Sequence, residues 1–474
     1  MKKNKLDGMK RSIRITEGFL EVLILSVAYY FVWRMGYERS DGFPAYYGNG
    51  KYVLAGVYGM LVIMIFLNFD GFKFGYLKPV ESFASQIIAL VITNFITYLQ
   101  LSLIANVMIS PWPIVVLMVV DAFIALICSF LYSHLYHVLY PPKNMVMIFG
   151  NDNAIDLKFK MDTRSDKYRI TKLISAEEGF EAICSQIRDY DAVIINDVAA
   201  GIRNDLLKFC YHNQIRAYVA PKMTDIILKG ATDISLFDTP LLLVRGRGLT
   251  LAQRITKRTM DIVLSTIALI LFSPVLLLVS LAIKIEDSGP IFYKQDRVTI
   301  GGKVFQILKF RSMIPNAEKG GRSQPAVDND PRITKVGRFI RATRIDELPQ
   351  ILNILKGDMS IVGPRPERVE HVRKYSKQIP EFDFRLSVKG GLTGYAQVYG
   401  KYNTTPYDKL RLDLMYIENY SLMMDIKLIL MTIRIMLKKE STEGFNELKE
   451  IERQKAEILK QIHEEHEKNK VGTK

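Results

Sequence analysis

Ser82 to Val120 is a run of 39 residues without one Asp, Glu, Lys or Arg, more contiguous apolar chain than a water-exposed fold accommodates. A helix needs about 20 apolar residues to cross the hydrocarbon of a bilayer, so this run predicts two spans joined by a tight turn at Ser110, Pro111 and Pro113. Tyr52 to Phe69 is also free of charge, and an apolar stretch around Glu17 lies between Arg14 and Arg34. Four spans result, the last ending near Tyr140. Lys2, Lys3, Lys5, Lys10, Arg11 and Arg14 crowd the first, Lys73 and Lys78 separate the second and third, and Lys143 follows the fourth. By the positive-inside rule both ends of this region are cytoplasmic. A cleaved signal peptide is the rival for the first span, but no small-residue cleavage site follows it and three more spans do. Asp121, inside the fourth span, is either a functional carboxylate or a side chain near enough to the interface to be wetted.

The remaining chain is water-compatible. With 474 residues, 49% hydrophobic and 24% charged, neither whole-chain disorder nor an all-lipid bundle is compatible with the composition. A net charge of +15 favours anionic partners. Nucleic acid is set aside, because no aromatic-interleaved binding motif accompanies the basic charge and that charge adjoins membrane segments. Cys128, Cys184 and Cys210 have neither metal-site spacing nor an even count, which points to a reducing compartment.

From Met145 the pattern changes to short apolar runs, Met145 to Phe149, Tyr168 to Ile174, Ala192 to Ile195 and Ala217 to Val219, alternating with segments such as Phe180 to Tyr190 that suit helices. This is a βαβ signature and predicts a parallel sheet. Gly150 ends the first strand where a dinucleotide fold places its phosphate loop, yet Asn151, Asp152, Asn153 and Ala154 lack the other two glycines. The reading is a Rossmann-like regulatory or dimerisation module without bound nucleotide, which leaves a homodimer open. A linker follows near residue 250, after Thr239 to Val244 and the Arg245, Gly246, Arg247, Gly248 segment.

Ile262 to Ile283 is a fifth uncharged segment, 22 residues long. Its length fits a crossing helix, while Ser273 and Pro274 at its centre and basic residues at both ends, Arg254, Lys257, Arg258 and Lys284, fit a segment that enters and returns on one face. Between Lys294 and Arg344 stand twelve basic residues against four acids. Arg338, Arg341 and Arg344 recur at a spacing that on a helix forms one cationic face, either a phosphate or membrane-surface site or a merely solvated stripe. Asp346 and Glu347 follow directly. Pro349 and Gly357 suit the first turn and the stop of a short amphipathic helix, so the two acids are expected at its start, where the dipole favours ionised carboxylates. Adjacent helical residues point about 100° apart, which suits one carboxylate for a reacting phosphorus and one for a metal. An acidic first turn is also ordinary helix chemistry. Gly363, Pro364, Arg365 and Pro366 lock a guanidinium between two prolines, as phosphate recognition requires. Lys389, Gly390, Gly391, Leu392, Thr393 and Gly394 form a glycine-rich loop that suits close approach to phosphate or sugar, or simply a hairpin turn.

Taken in order, Lys309-Phe310-Arg311-Ser312-Met313, Asp330-Pro331-Arg332-Ile333-Thr334-Lys335-Val336-Gly337, Asp346-Glu347-Leu348-Pro349-Gln350, Lys356-Gly357-Asp358-Met359-Ser360, Gly363-Pro364-Arg365-Pro366 and Gly391-Leu392-Thr393-Gly394 resemble the bacterial sugar transferase family, the polyprenyl-phosphate hexose-1-phosphate transferases. The resemblance covers residues 253 to about 438, and four N-terminal spans with a Rossmann-like insert look like the long members. It implies a multi-domain membrane protein: a four-helix transmembrane bundle (1–142), a Rossmann-like α/β domain (143–250), and a mainly α catalytic domain (251–440) with a re-entrant membrane helix (257–284) broken at Ser273 and Pro274. It also implies that Asp346 attacks the β-phosphate of a UDP-sugar, glucose or galactose favoured, expelling UMP. Undecaprenyl phosphate then takes the sugar phosphate, as the first membrane step of exopolysaccharide or capsule synthesis. Glu347, with Asp346, would hold Mg²⁺, and Lys309, Arg311, Arg332, Arg341 and Arg365 would bind substrate phosphate. Gly391, Thr393 and Gly394 would form the substrate loop. The re-entrant reading keeps catalysis at the cytoplasmic face of the bacterial inner membrane, beside its nucleotide sugar. Gly390 stands where many members have Pro, which leaves the sugar open. Asp408, Asp413, Tyr416, Asp425 and Thr432 preserve the family's helical ending and read as scaffold. The Glu- and Lys-rich tail (441–474) has about two heptads, too few for a coiled coil. The rival functions are a membrane-anchored, nucleotide-sensing regulator and an ordinary glycosyltransferase that releases UDP.

Overall fold

The computed structural model describes residues 2–38, 49–151, 154–236, 238–244, 246, 248–315, 330–400 and 404–436. The charged tail, Asp152, Asn153, Arg245, Arg247 and the stretch carrying Glu318, Lys319, Arg322 and Asp328 lie outside these residues. The chain divides into two compact units, Met1–Asn144 with Lys160–Arg169, and Met145–Phe159 with Ile170–Lys474.

Four long helices dominate the first unit: α1 (Lys2–Gly36), α2 (Gly50–Asn68), α3 (Pro79–Ala105) and α4 (Trp112–Leu139). Each is long and apolar enough to cross a membrane, as is one helix of the second unit. α1 packs on α2 and α4, and α3 packs on the same two. The usual distribution is reversed here, with Val91, Phe95, Val119, Phe123 and Leu131 exposed and Glu21, Gln86, Asn94 and Asp121 buried. Apolar side chains outside and polar ones inside is the arrangement a lipid solvent selects. Gln86 Nε2 donates to Glu21 Oε2 and to the Gly71 carbonyl, both at 3.1 Å, and its Oε1 accepts from Ser129 Oγ at 2.8 Å. Eight residues further along α3 and eight back along α4, Asp121 Oδ2 accepts from Tyr58 OH at 2.7 Å and Asn94 Nδ2 at 2.9 Å. Asp121 is fully buried among protein groups, which removes the wetted-interface reading. Glu21, a second acid in the first apolar stretch, is tolerated for the same reason.

The second unit opens with β1 (Lys143–Phe149), α5 (Ala154–Asp162), β2 (Tyr168–Ser175), α6 (Phe180–Ile187), β3 (Ala192–Asn196), α7 (Ala200–His212), β4 (Arg216–Val219) and α8 (Met223–Lys229). The sheet order is β2-β1-β3-β4, and β3 pairs in parallel with both β1 and β4. All five residues of β3 are buried, as a central parallel strand covered on both faces should be. A Cβ on Gly150 would strike the carbonyl of Asp197. Close backbone approach at the ends of β1 and β3 therefore accounts for this glycine without a phosphate loop. β5 (Thr232–Ile234) and β6 (Leu241–Leu243) form a separate antiparallel hairpin.

Next comes α9 (Leu251–Asp287), a 37-residue helix that runs unbroken through Ser273 and Pro274. Pro274 cannot donate to the carbonyl four residues back, that of Ile270. Ser273 Oγ donates to that carbonyl instead, at 2.8 Å, so the acceptor orphaned by the proline is satisfied. The ends of α9 are bolted to the C-terminal part of the unit, built from β7 (Phe292–Val298), β8 (Val304–Phe310), α10 (Lys335–Ala342), α11 (Gln350–Lys356), β9 (Ser360–Val362), α12 (Val369–Gln378), β10 (Gly391–Thr393), α13 (Tyr395–Tyr399), α14 (Pro406–Glu418) and α15 (Leu422–Met436). At its N-terminal end Lys257 Nζ meets Asp425 Oδ2 at 2.5 Å and Tyr416 OH at 3.0 Å, and that hydroxyl donates to Asp425 Oδ1 at 2.7 Å. Arg258 donates to the carbonyls of Ile354 and Leu355 at the end of α11. Asp261 accepts from Ser360 Oγ and the Ile361 amide, both at 3.0 Å. Beyond Pro274, Val279 and Ile283 share a core with Phe310 and Ile340. Between the two anchored ends, Ile267, Ile270 and Leu271 are exposed. Met223 and Ile226 of α8 join a core with Val362, Leu410, Leu414 and Tyr416.

Lys257 and Asp425 are both almost wholly enclosed. Removing one partner of such a pair leaves a buried charge, so Lys257→Met should cost about 3–5 kcal/mol, whereas Lys257→Met with Asp425→Leu should recover most of it. Unfolding of the detergent-solubilised protein measures both, and equal losses in the single and double variants would contradict the pairing.

Candidate active site

Asp346 and Glu347 occupy a 3-10 turn of their own, Ile345–Glu347, ahead of α11. The expected start of one continuous helix is replaced because Pro349, which has no amide hydrogen, stands at the N-cap of α11. Arg344 enters the turn in a left-handed conformation, φ +59°. It therefore leaves α10, and only Arg338 and Arg341 of the predicted cationic face remain helical. Gly357, φ +95°, stops α11 as expected.

Two segments converge on Glu347. Lys309, near the end of β8, donates to Oε1 at 2.8 Å, and Arg365, in the loop after β9, donates to the same oxygen at 3.0 Å. Burial resists ionisation of Glu347, but Arg365 and Lys309 outweigh it and hold the carboxyl well below the usual range. Asp346 behaves oppositely. Burial raises its pKa, and the opposing pull of Lys309, Arg341 and Arg344 is weakened by neighbouring Glu347. Two adjacent carboxyl groups are thus pushed apart, a recurring sign of divided chemical roles.

The Arg365 loop is fixed carbonyl by carbonyl. Pro364 O accepts from the Gly391 amide at 2.9 Å, Arg365 O from Arg385 at 3.0 Å and Pro366 O from Arg297 at 3.0 Å. Arg385 is held in turn by Asp413, at 2.8 Å. Gly363, Gly391 and Gly394 are required because β10 lies parallel to β9, and a Cβ on any of them would strike facing backbone. That packing explains the glycine-rich stretch. Gly391 borders the small cavity formed with Arg297, Lys309, Gln350 and Arg365. Thr393 is buried, its hydroxyl sharing a 2.5 Å hydrogen bond with Thr432 on α15, so its side chain is committed to the scaffold.

Of the residues read from the sequence, Asp346, Glu347, Lys309, Arg341 and Arg365 are brought together. Arg311 is not free for phosphate, since Asp287 and the Pro290 carbonyl occupy its guanidinium and tie β8 to the end of α9. Arg332 is paired with Asp330 at 2.6 Å. Arg297 was visible only as one of twelve basic residues. Its place emerges from strand register: Arg297 and Tyr293 lie on one face of β7, and Tyr293 pairs with Lys309, so both cations share a face. No spacing rule reveals Arg385 and Asp413, which are 28 residues apart in sequence.

Mg²⁺ commonly takes one or two carboxylates and completes its shell with substrate phosphate and water. Asp346 and the second oxygen of Glu347, outside the bonds to Lys309 and Arg365, supply that donor set. Among the described residues there is no larger group of His, Cys, Asp and Glu able to hold a metal alone.

A family model for bacterial sugar transferase matches residues 252–439. A UDP-N-acetylgalactosamine-undecaprenyl-phosphate N-acetylgalactosaminephosphotransferase of Aeromonas hydrophila is 46% identical over 184 residues, 38% of this chain and 43% of that protein. The UDP-glucose:undecaprenyl-phosphate glucose-1-phosphate transferase of Escherichia coli K12 is 42% identical over 211 residues, 44% of each chain. An uncharacterized sugar transferase of Haemophilus influenzae is 32% identical over 339 residues, 63% of this chain and 70% of that protein. The match to the first two therefore spans less than half of their length.

The burial of Asp346 predicts that its carboxyl stays protonated above the ordinary aspartate value of about 3.9. Lys309 stabilises the ionised form, so Lys309→Met should move the midpoint higher still. Peptide-mapped carbodiimide labelling of Asp346 against pH reads both, and a midpoint at or below the ordinary value would contradict the assignment.

Proposed function

Because the chain belongs to the bacterial sugar transferase family, we propose that it transfers a hexose 1-phosphate from a UDP-sugar to undecaprenyl phosphate and releases UMP, as the first membrane step of exopolysaccharide or capsule synthesis. The carrying observation is the divided dyad, with Glu347 clamped ionised by Lys309 and Arg365 beside Asp346 in the same turn. Asp346 Oδ attacks the β-phosphorus, and the bond from that phosphorus to the bridging oxygen breaks. UMP leaves with that oxygen and the electron pair. The resulting aspartyl phosphosugar is opened by a phosphate oxygen of the lipid, which forms the new diphosphate bond and returns Asp346 as a carboxylate. Lys309, Arg341 and Arg365 neutralise the charge gathering on the transferring phosphoryl group. Mg²⁺, held by Asp346 and Glu347, would add Lewis-acid neutralisation of the diphosphate. Glucose and galactose are the favoured sugars, and the names of similar proteins add N-acetylgalactosamine to the donors worth testing.

In this reading α1 to α4 form a four-helix transmembrane bundle (1–142), the parallel sheet is a Rossmann-like domain (143–250), and 251–440 is catalytic. α9 enters and leaves the membrane on one face. Support comes from its two ends packing on the same body while the residues around Ser273 and Pro274 stay exposed. That topology keeps the site on the cytoplasmic face of the inner membrane. The regulator reading is disfavoured by the clamp, which a mere recruiter has no use for.

Purified protein incubated with Mg²⁺, undecaprenyl phosphate and a panel of UDP-sugars should release UMP from one donor. Asp346→Asn should lower the rate at least about 1,000-fold, the order expected when a covalent nucleophile is removed. Release of UDP would assign ordinary glycosyl transfer instead.

A further inference from the structure

Arg297 is the one cavity-lining cation with no carboxylate within 4 Å among the described residues. Lys309 and Arg365 share Glu347 Oε1, whereas two of the nitrogens of Arg297 donate to neutral acceptors, the Pro366 carbonyl at 3.0 Å and Gln295 Oε1 at 2.6 Å. Its third, Nε, is buried without a hydrogen-bond partner. Glu367 offsets its charge only from a distance, and the ion pairs of Glu367 go to His371 and Arg385. Burial and then the proximity of Arg365 push the Arg297 pKa down to about 10, so it is still a cation at neutral pH, and no carboxylate pairs with it directly. Two guanidinium groups on one cavity repel each other until an anion lies between them. The Nε–H is the donor of Arg297 left without an acceptor, and guanidinium groups suit phosphoryl oxygens.

We propose that Arg297 is a substrate-binding residue that donates to a phosphoryl oxygen in the cavity it shares with Lys309 and Arg365. The proposal rests on the sugar-phosphate transfer reading. Two substrates in that reading carry the required chemistry, the diphosphate of the nucleotide sugar and the phosphate of the acceptor lipid, and experiment separates them. Because Arg297 also holds Pro366 O, its variants need a control that loosens the same loop without facing the cavity. Arg385→Lys is that control, acting on the neighbouring carbonyl of Arg365.

The full-length protein carrying Asp346→Asn, which cannot turn over, is titrated in detergent with UDP and, separately, with undecaprenyl phosphate. Adding Arg297→Gln should weaken one of the two by about 10- to 100-fold, the range for a lost hydrogen bond to a charged group. Arg297→Lys, which keeps the charge but not the fork, should recover part of the loss. Arg385→Lys, which loosens the same loop, should cost either affinity several-fold less than Arg297→Gln costs its own. Loss of UDP binding assigns Arg297 to the donor, and loss of lipid binding assigns it to the acceptor. Unchanged affinity for both probes, no binding of either to the parent, or an equal loss in Arg385→Lys overturns the proposal. Because these titrations involve no turnover, they read Arg297 even if the wild-type protein releases no UMP, the outcome that would sink the transfer reading itself.

Discussion

The clamp on Glu347 is the constraint around which the second unit is organised. One carboxylate oxygen receives Lys309 from β8 and Arg365 from the loop after β9, so three segments far apart in sequence must meet within hydrogen-bond distance. Each arrives already fixed. Lys309 sits in a two-stranded ribbon registered from Phe292 opposite Phe310 to Val298 opposite Val304. Arg365 is held through three successive carbonyls, and two prolines remove the alternative conformations its loop would otherwise sample. Little reorganisation is then left for the moment when charge builds on a transferring phosphoryl group, which is how preorganised electrostatics lower a barrier.

α9 joins an exposed apolar stretch around Pro274 to the body that carries this clamp. Its first half is attached through Lys257, Arg258 and Asp261, three polar groups satisfied by different elements, and its second half through the Val279 and Ile283 core. Proline inside a helix ordinarily strands a carbonyl, and the neighbouring serine removes that penalty. In the first unit the same rule, that no buried polar group goes unsatisfied cheaply, gathers Gln86, Glu21 and Ser129, and Tyr58, Asn94 and Asp121, into the interior.

Much of this was legible in the residues. Charge-free runs located α2, α3, α4 and α9, and an apolar stretch located α1 although Glu17 and Glu21 interrupt it, while short runs located β1 to β4, of which β1 and β3 are the buried ones. The dyad, Lys309 and Arg365 were found through ordered motifs. Pairing choices were not legible. Arg311 and Arg332 look identical to Arg365 in sequence, yet Asp287 and Asp330 occupy them, and only the fold decides which carboxylate reaches which guanidinium. Gly391 and Gly394 read as part of a ligand loop, and close backbone contact with Gly363 also requires them. Arg297 was hidden for the converse reason, since its neighbours on the sheet face come from register.

The central claim is that Asp346 becomes covalently attached to the sugar phosphate. Incubating the purified protein with its donor UDP-sugar and no lipid, quenching in acid and mapping peptides by mass spectrometry tests it directly. The account predicts a hexose-phosphate adduct on Asp346 that disappears when undecaprenyl phosphate is added. Stoichiometric transfer of sugar phosphate to the lipid, with Asp346 unmodified at every time point, would contradict it.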